Sequence, residues 1–147
     1  MSIANGIAAL ERLKFVLANV EPRIIEVGTL EGISSIKAAV FNRGETQDGA
    51  LIGSYKSEAY KRKRTSRGRQ VQKVDLEFTG ELRNSLQRGR LNGKLVVGWT
   101  NSGAAKISQH LEERYKRPIF APQEKSVQRI KALAEIEFKK MLQENGL

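Results

Sequence analysis

Apolar residues recur at three- and four-residue spacing from the start of the chain. Ile3, Ile7, Leu10, Leu13 and Leu17 form one stripe and predict a helix. The Val20-Glu21-Pro22 step is expected to end it, because proline cannot continue the hydrogen-bond ladder but suits the first turn of a new helix. A second helix then carries Ile24, Val27, Leu30, Ile33, Ile36 and Val40. Within it, Gly28 and Gly32 each weaken the helix by roughly 1 kcal/mol relative to alanine. Their spacing permits two readings: one face open to close approach by another backbone, or a short break near Gly28.

The period vanishes after Phe41, and Asn42-Arg43-Gly44 and Asp48-Gly49 are turn signals. From Val74 the alternation Val74, Leu76, Phe78 against Asp75 and Glu77 predicts a half-buried strand. Thr79 is placed to cap a short helix in which Leu82 and Leu86 share a face. Asn92-Gly93, between Arg88–Leu91 and Lys94–Thr100, is a two-residue hairpin signal. Its second strand, Leu95-Val96-Val97-Gly98-Trp99, is apolar on both faces and is expected to be covered on both. A short helix through Ala105, Ile107, His110 and Leu111 follows. Arg117-Pro118-Ile119-Phe120-Ala121-Pro122, with two of the three prolines, predicts a stiff extended connector. The last helix runs from about Gln123 to Gln143.

These elements predict an α+β fold: a small antiparallel sheet packed with two N-terminal helices and a long C-terminal helix. A long basic loop, residues 42–73, separates the second helix from the first strand. At 147 residues the chain, 1–147, is read as a single domain.

Charge changes the picture most in that loop. Between Lys56 and Lys73 stand eight basic side chains against Glu58 alone, which is +7 of the formal +10. Two readings stay open. In one, Lys56, Lys61, Arg62, Lys63, Arg64, Arg67, Arg69 and Lys73 contact phosphates, with Tyr55 and Tyr60 stacking on exposed bases. Full engagement on duplex DNA gives a log–log salt slope of about −7. In the other, the loop is solvated and becomes ordered only against the acidic face of a partner subunit.

Catalytic chemistry has no positive signal. The chain has one histidine, His110, and two aspartates, Asp48 and Asp75, far apart in sequence. No serine sits in a nucleophile context, and no metal-ligand spacing or glycine-rich phosphate loop is present. No cofactor is expected, and His110 is read as a packing or surface residue. Trp99, in mid-strand, is read as core. Cysteine is absent, so disulfides and thiolate metal sites are excluded. No apolar run approaches the ~20 residues of a membrane span. The opening Met-Ser-Ile-Ala-Asn-Gly is unlike a signal peptide, so synthesis in a cytoplasm is expected.

Taken in order, Ile36 to Phe41 with Asp48-Gly49, Phe78-Thr79-Gly80-Glu81-Leu82-Arg83-Asn84-Ser85-Leu86, Val96-Val97-Gly98, Ala105 to Glu112 and Arg117-Pro118-Ile119-Phe120 form a series. This series, covering roughly residues 30–143, resembles the virion-morphogenesis or tail-completion (neck) proteins of tailed bacteriophages. The chain departs from that pattern at Leu51-Ile52, where many members carry an aromatic, and at Ile119, which separates Pro118 from Phe120. The resemblance implies a non-enzymatic structural protein of the virion, working as a homo-oligomeric ring of 6 or 12 copies at the head–tail junction. Portal, neck or tail proteins would be its partners, with packaged DNA in the channel. Such a subunit needs extended apolar segments for its neighbours, and Arg117, Ile119 and Phe120 are the candidates. The alternative is a small basic nucleic-acid-binding protein that uses the Lys56–Lys73 loop.

Overall fold

The first element, α1 (Ile3–Lys37), is a single helix of 35 residues that passes through Pro22 without ending. The structure, a computed structural model, describes residues 3–77 and 79–147, and side chains from Ile7 onward within those ranges. The expected division into two N-terminal helices is therefore corrected. An internal proline costs about 3 kcal/mol, and packing along the C-terminal helix α5 (Glu124–Glu144) offsets it. Arg23, next to the proline, pairs with Glu137 at 2.8 Å and Glu144 at 3.1 Å. Further along, Glu31 pairs with Arg129 at 3.0 Å, and Ser35 donates to or accepts from Ser126. Gly28 lies at this contact, where a β-carbon would meet Ile130 at 3.4 Å; at Gly32 nothing lies within 4 Å. Neither glycine breaks the helix.

After Lys37 the helix widens into one π turn (Ala38–Arg43), which buries Ala39, Val40 and Phe41 and stops at Gly44. Gly44 takes φ +67°, and a β-carbon there would stand 2.5 Å from the Val74 carbonyl oxygen. Glycine is required here on both counts. A turn at Asp48-Gly49 returns the chain, so that Ile52 N–H donates to the Gly44 carbonyl and Val74 N–H to that of Gly53.

The strand expected from Val74 does not form. Val74 and Asp75 are both buried, so apolar and polar positions do not alternate between core and solvent. Leu76 takes φ +53°, which no extended strand permits. Phe78, the last apolar residue of that expected strand, lies outside the described residues, as does the side chain of Ile3. The short helix α3 (Glu81–Ser85) ends one residue before Leu86, which begins β1. Leu82 and Leu86 are both buried, but from two different elements.

The Asn-Gly hairpin is found where expected. β1 (Leu86–Leu91) pairs antiparallel with β2 (Lys94–Trp99), Leu86 opposite Trp99 and Gly89 opposite Val96. Asn92 and Gly93 take φ +50° and +79°, the two positive angles that match a tight turn to strand twist. The sheet has two strands and packs on α1. Val97 is exposed, so β2 is not covered on both faces.

Helix α4 (Ser102–Tyr115) starts at Asn101, whose side chain accepts from Ala104 N–H at 2.6 Å. The fold is thus α+β, with long first and last helices and a two-stranded sheet. Its core joins Ile36, Val40 and Phe41 to Ile52, Val74, Leu82, Leu86, Ala104 and Ile119.

Two measurements check this packing. Leu86→Ala is expected to lower unfolding free energy by about 2–5 kcal/mol in urea titration. Gly44→Ala is expected to cost more than Gly68→Ala. Both positions have positive φ, worth about 1–2 kcal/mol each, but only Gly44 meets another backbone. Equal losses at the two sites would contradict the close approach to Val74.

Candidate functional site

The basic segment is built around one buried cation. Ser57 accepts from Tyr60 N–H and caps a helix, α2 (Glu58–Thr65), where sequence periodicity predicts none. Near its end, Arg64 has 0% of its surface exposed. Its guanidinium donates to both Asp75 carboxylate oxygens, at 2.8 and 3.1 Å. It also donates to the carbonyls of Gln70 (2.9 Å) and Glu77 (3.0 Å), and stacks 4.4 Å from the centre of the Tyr55 ring. Asp75 accepts in addition from the Tyr55 hydroxyl (3.0 Å), the Gln70 amide and Glu77 N–H (3.0 Å). A buried charge is tolerable only when paired and hydrogen-bonded, and both partners here are, with Arg64 donating from all three of its nitrogens. Burial raises the Tyr55 hydroxyl above its ordinary pKa, and the Asp75 carboxylate pushes the same way. Tyr55 therefore stays a donor.

Part of the segment read as a loop is thus helical, and Arg64, one of its eight candidate contact cations, is buried in the protomer. Arg64 cannot reach a phosphate or a partner without unfolding the knot. Lys61 pairs with Glu58 at 2.6 Å, Arg69 lies 3.6 Å from Glu77, and Lys73 donates to the Asn42 carbonyl at 3.0 Å. Lys56, Arg62, Lys63 and Arg67 have exposed positions on the outside of the arm. Tyr60 is partly exposed and packs on Tyr55, ring centres 5.4 Å apart. Tyr55 is half-buried, with its hydroxyl on Asp75 and its ring against Arg64.

The three residues of the proline connector put forward as a subunit contact differ in how the protomer itself uses them. Ile119 is buried in the protomer's own core, held by Glu112, whose carboxylate accepts from the N–H groups of Ile119 (2.8 Å) and Phe120 (3.0 Å). Phe120 is half-buried, edge-on to Trp99 at 5.0 Å and 6.5 Å from Phe41. Trp99 is thereby tied to the core. Arg117 alone of the three is exposed, as is His110.

Two uncovered apolar surfaces were not among the candidate sites. A cleft of about 810 Å³ opens between the arm, α3 and α4, floored by Leu82, Leu111 and Ala104 and walled by Tyr55, Leu76 and Tyr115. The second is the expected stripe of α1: Ile7, Leu10 (61%), Leu13 and Leu17 (56%) are exposed, while Val16 on the other side is fully buried. Periodicity found the stripe, but not that nothing in the protomer covers it. Among the described residues no helix is long and apolar enough to cross a membrane, and no cluster of His, Asp or Glu is arranged to hold a metal.

The knot is testable directly. Removing one member of a buried ion pair leaves the other charge unpaired, so Asp75→Asn is expected to cost about 3–5 kcal/mol in denaturant titration. The same variant is expected to expose residues 58–69 to limited proteolysis. Arg64→Lys is not a conservative change here, because an ammonium cannot serve two carbonyls and a carboxylate in one plane. Comparisons of this chain with protein-family models, with curated protein sequences and with solved structures found no match.

Proposed function

We propose that the chain is a non-enzymatic structural protein of a tailed-bacteriophage virion, a ring subunit at the head–tail junction that links head or portal to tail. The ordered motif series from Ile36 to Phe120 supports this reading. The observation that carries it is the projecting α1 stripe. Its four large aliphatic side chains, exposed together, are a patch of the kind that monomeric proteins rarely leave open. An assembly subunit needs such a surface. The ring would have 6 or 12 copies, with other neck, portal or tail proteins above and below it.

A second reading, a nucleic-acid-binding protein, draws on the exposed Lys56, Arg62, Lys63 and Arg67. With only these four engaged, the salt slope on duplex DNA is about −3.6 rather than −7. Within a ring, the same residues would face packaged DNA or a neighbouring protein.

Sedimentation and negative-stain imaging of the purified protein, alone and with portal or tail proteins, test the first reading. Closed rings are expected. Leu10→Asp with Leu17→Asp is expected to give folded monomers with unchanged helix content. A wild-type protein that stays monomeric in every mixture and never enters particles would refute the ring. A filter-binding slope near about −3.6 that flattens when Lys56, Arg62, Lys63 and Arg67 are neutralised together would favour the nucleic-acid reading.

A further inference from the structure

The α1 stripe and the cleft are two uncovered apolar surfaces at opposite ends of one rigid helix. The cleft shares Val74, Leu82 and Ala104 with the core cluster that holds Ile36, Val40 and Phe41, so it sits at the C-terminal end of α1. By the helical rise of ~1.5 Å per residue, Leu17 stands about 28 Å from Ile36, and Leu10 and Ile7 stand farther still. No copy can fill its own cleft with its own stripe. The surfaces also match in charge. On the stripe side of α1 lie Lys14 and Glu21, one base and one acid, both exposed. At the cleft stand Lys56, Glu81 and Arg114, two bases and one acid.

We infer that the exposed stripe of α1 in one copy seats in the cleft between α2, α3 and α4 of the next copy. This deepens the ring reading and rests on it. The occupant is a second copy of this chain, and the contact is head-to-tail. Such an interface uses two different patches, so it repeats from copy to copy and closes into a ring when the rotation permits. A stripe paired with another stripe would instead be self-complementary and would stop at a dimer. The arm has a structural part in this scheme. By holding Tyr55 and Leu76 in place, the Arg64–Asp75 pair shapes one wall of the cleft. The tall exposed side chain at its mouth is Ile107, 51% exposed on α4.

The absence of native cysteine makes the test clean. Single-cysteine chains carrying Ile7→Cys, Leu10→Cys, Leu13→Cys or Leu17→Cys are mixed with chains carrying Ile107→Cys, Leu111→Cys or Tyr60→Cys, then oxidised at the wild-type assembly concentration. A disulfide forms only where Cα atoms come within about 7 Å. At least one stripe–cleft pair is expected to cross-link in most of the protein, and the corresponding double-cysteine chain is expected to give a ladder of multimers. Rings seen by microscopy with no stripe–cleft cross-link across the panel would overturn this contact and leave the ring reading standing. Stripe–stripe cross-linking in dimers would overturn it as well. Monomers throughout would overturn both.

Discussion

Arg64 and Asp75 form the constraint on which the rest of the arm depends. A guanidinium with no exposed surface has to be matched donor by donor, and the match is drawn from three stretches of chain: Tyr55, Gln70 and Asp75–Glu77. Placing those acceptors around one cation fixes the start and end of α2 and the path of the chain back toward the core. It also accounts for the backbone at Leu76. A leucine at positive φ is costly, of order 1–3 kcal/mol, and persists only where its neighbours over-determine it. Here Asp75 and Glu77, on either side, both serve Arg64. The pair is not a large source of net stability, since desolvating two charges offsets much of their attraction. Its contribution is to make one conformation of the arm far better than any other.

From that constraint follows a molecule with two rigid ends. At one end, the π turn, Gly44 and Val74 lock the arm against the core, and the cleft opens beside it. At the other, α1 carries its apolar stripe into solvent, while the helix also packs along α5. The two ends are joined by α1, one continuous helix of 35 residues. A ring contact between such ends would set the angle between copies through the helix, with the hairpin and connector left to the protomer's own core. The charge that is so concentrated in the sequence is then divided. Part of it builds the arm, and part stands at the exposed positions Lys56, Arg62, Lys63 and Arg67.

Much of this was legible in the residues. The hairpin follows from Asn92-Gly93, whose positive φ angles few other dipeptides accept, and α5 follows from an unbroken helical period ending in polar residues. Pro22 misleads because its cost is local while the packing of Arg23 against Glu137 and Glu144 is not. The Val74–Glu77 alternation misleads for a related reason: period two assigns Asp75 to solvent, whereas a partner eleven residues earlier draws it inside. Arg64 was hidden among seven other cations, where a run of charge reads as uniformly wet. A signal did exist in start and stop residues, Ser57 before Glu58 and Gly68 soon after Thr65, which delimit a helix without any apolar period. The uncovered state of the α1 stripe had no local signal, because a stripe looks the same whether its own chain or another copy covers it.

The arm is folded in the free protomer, and a buried ion pair holds it. Amide hydrogen exchange on the monomeric Leu10→Asp, Leu17→Asp chain, with and without Asp75→Asn, tests this most directly. Slow exchange is expected at Lys61, Arg69 and Val74, whose N–H groups donate to Ser57, Arg64 and Gly53, with loss of that protection at Lys61 and Arg69 when Asp75 is neutralised. Exchange at random-coil rates across residues 58–69 before any substitution of Asp75 would contradict it.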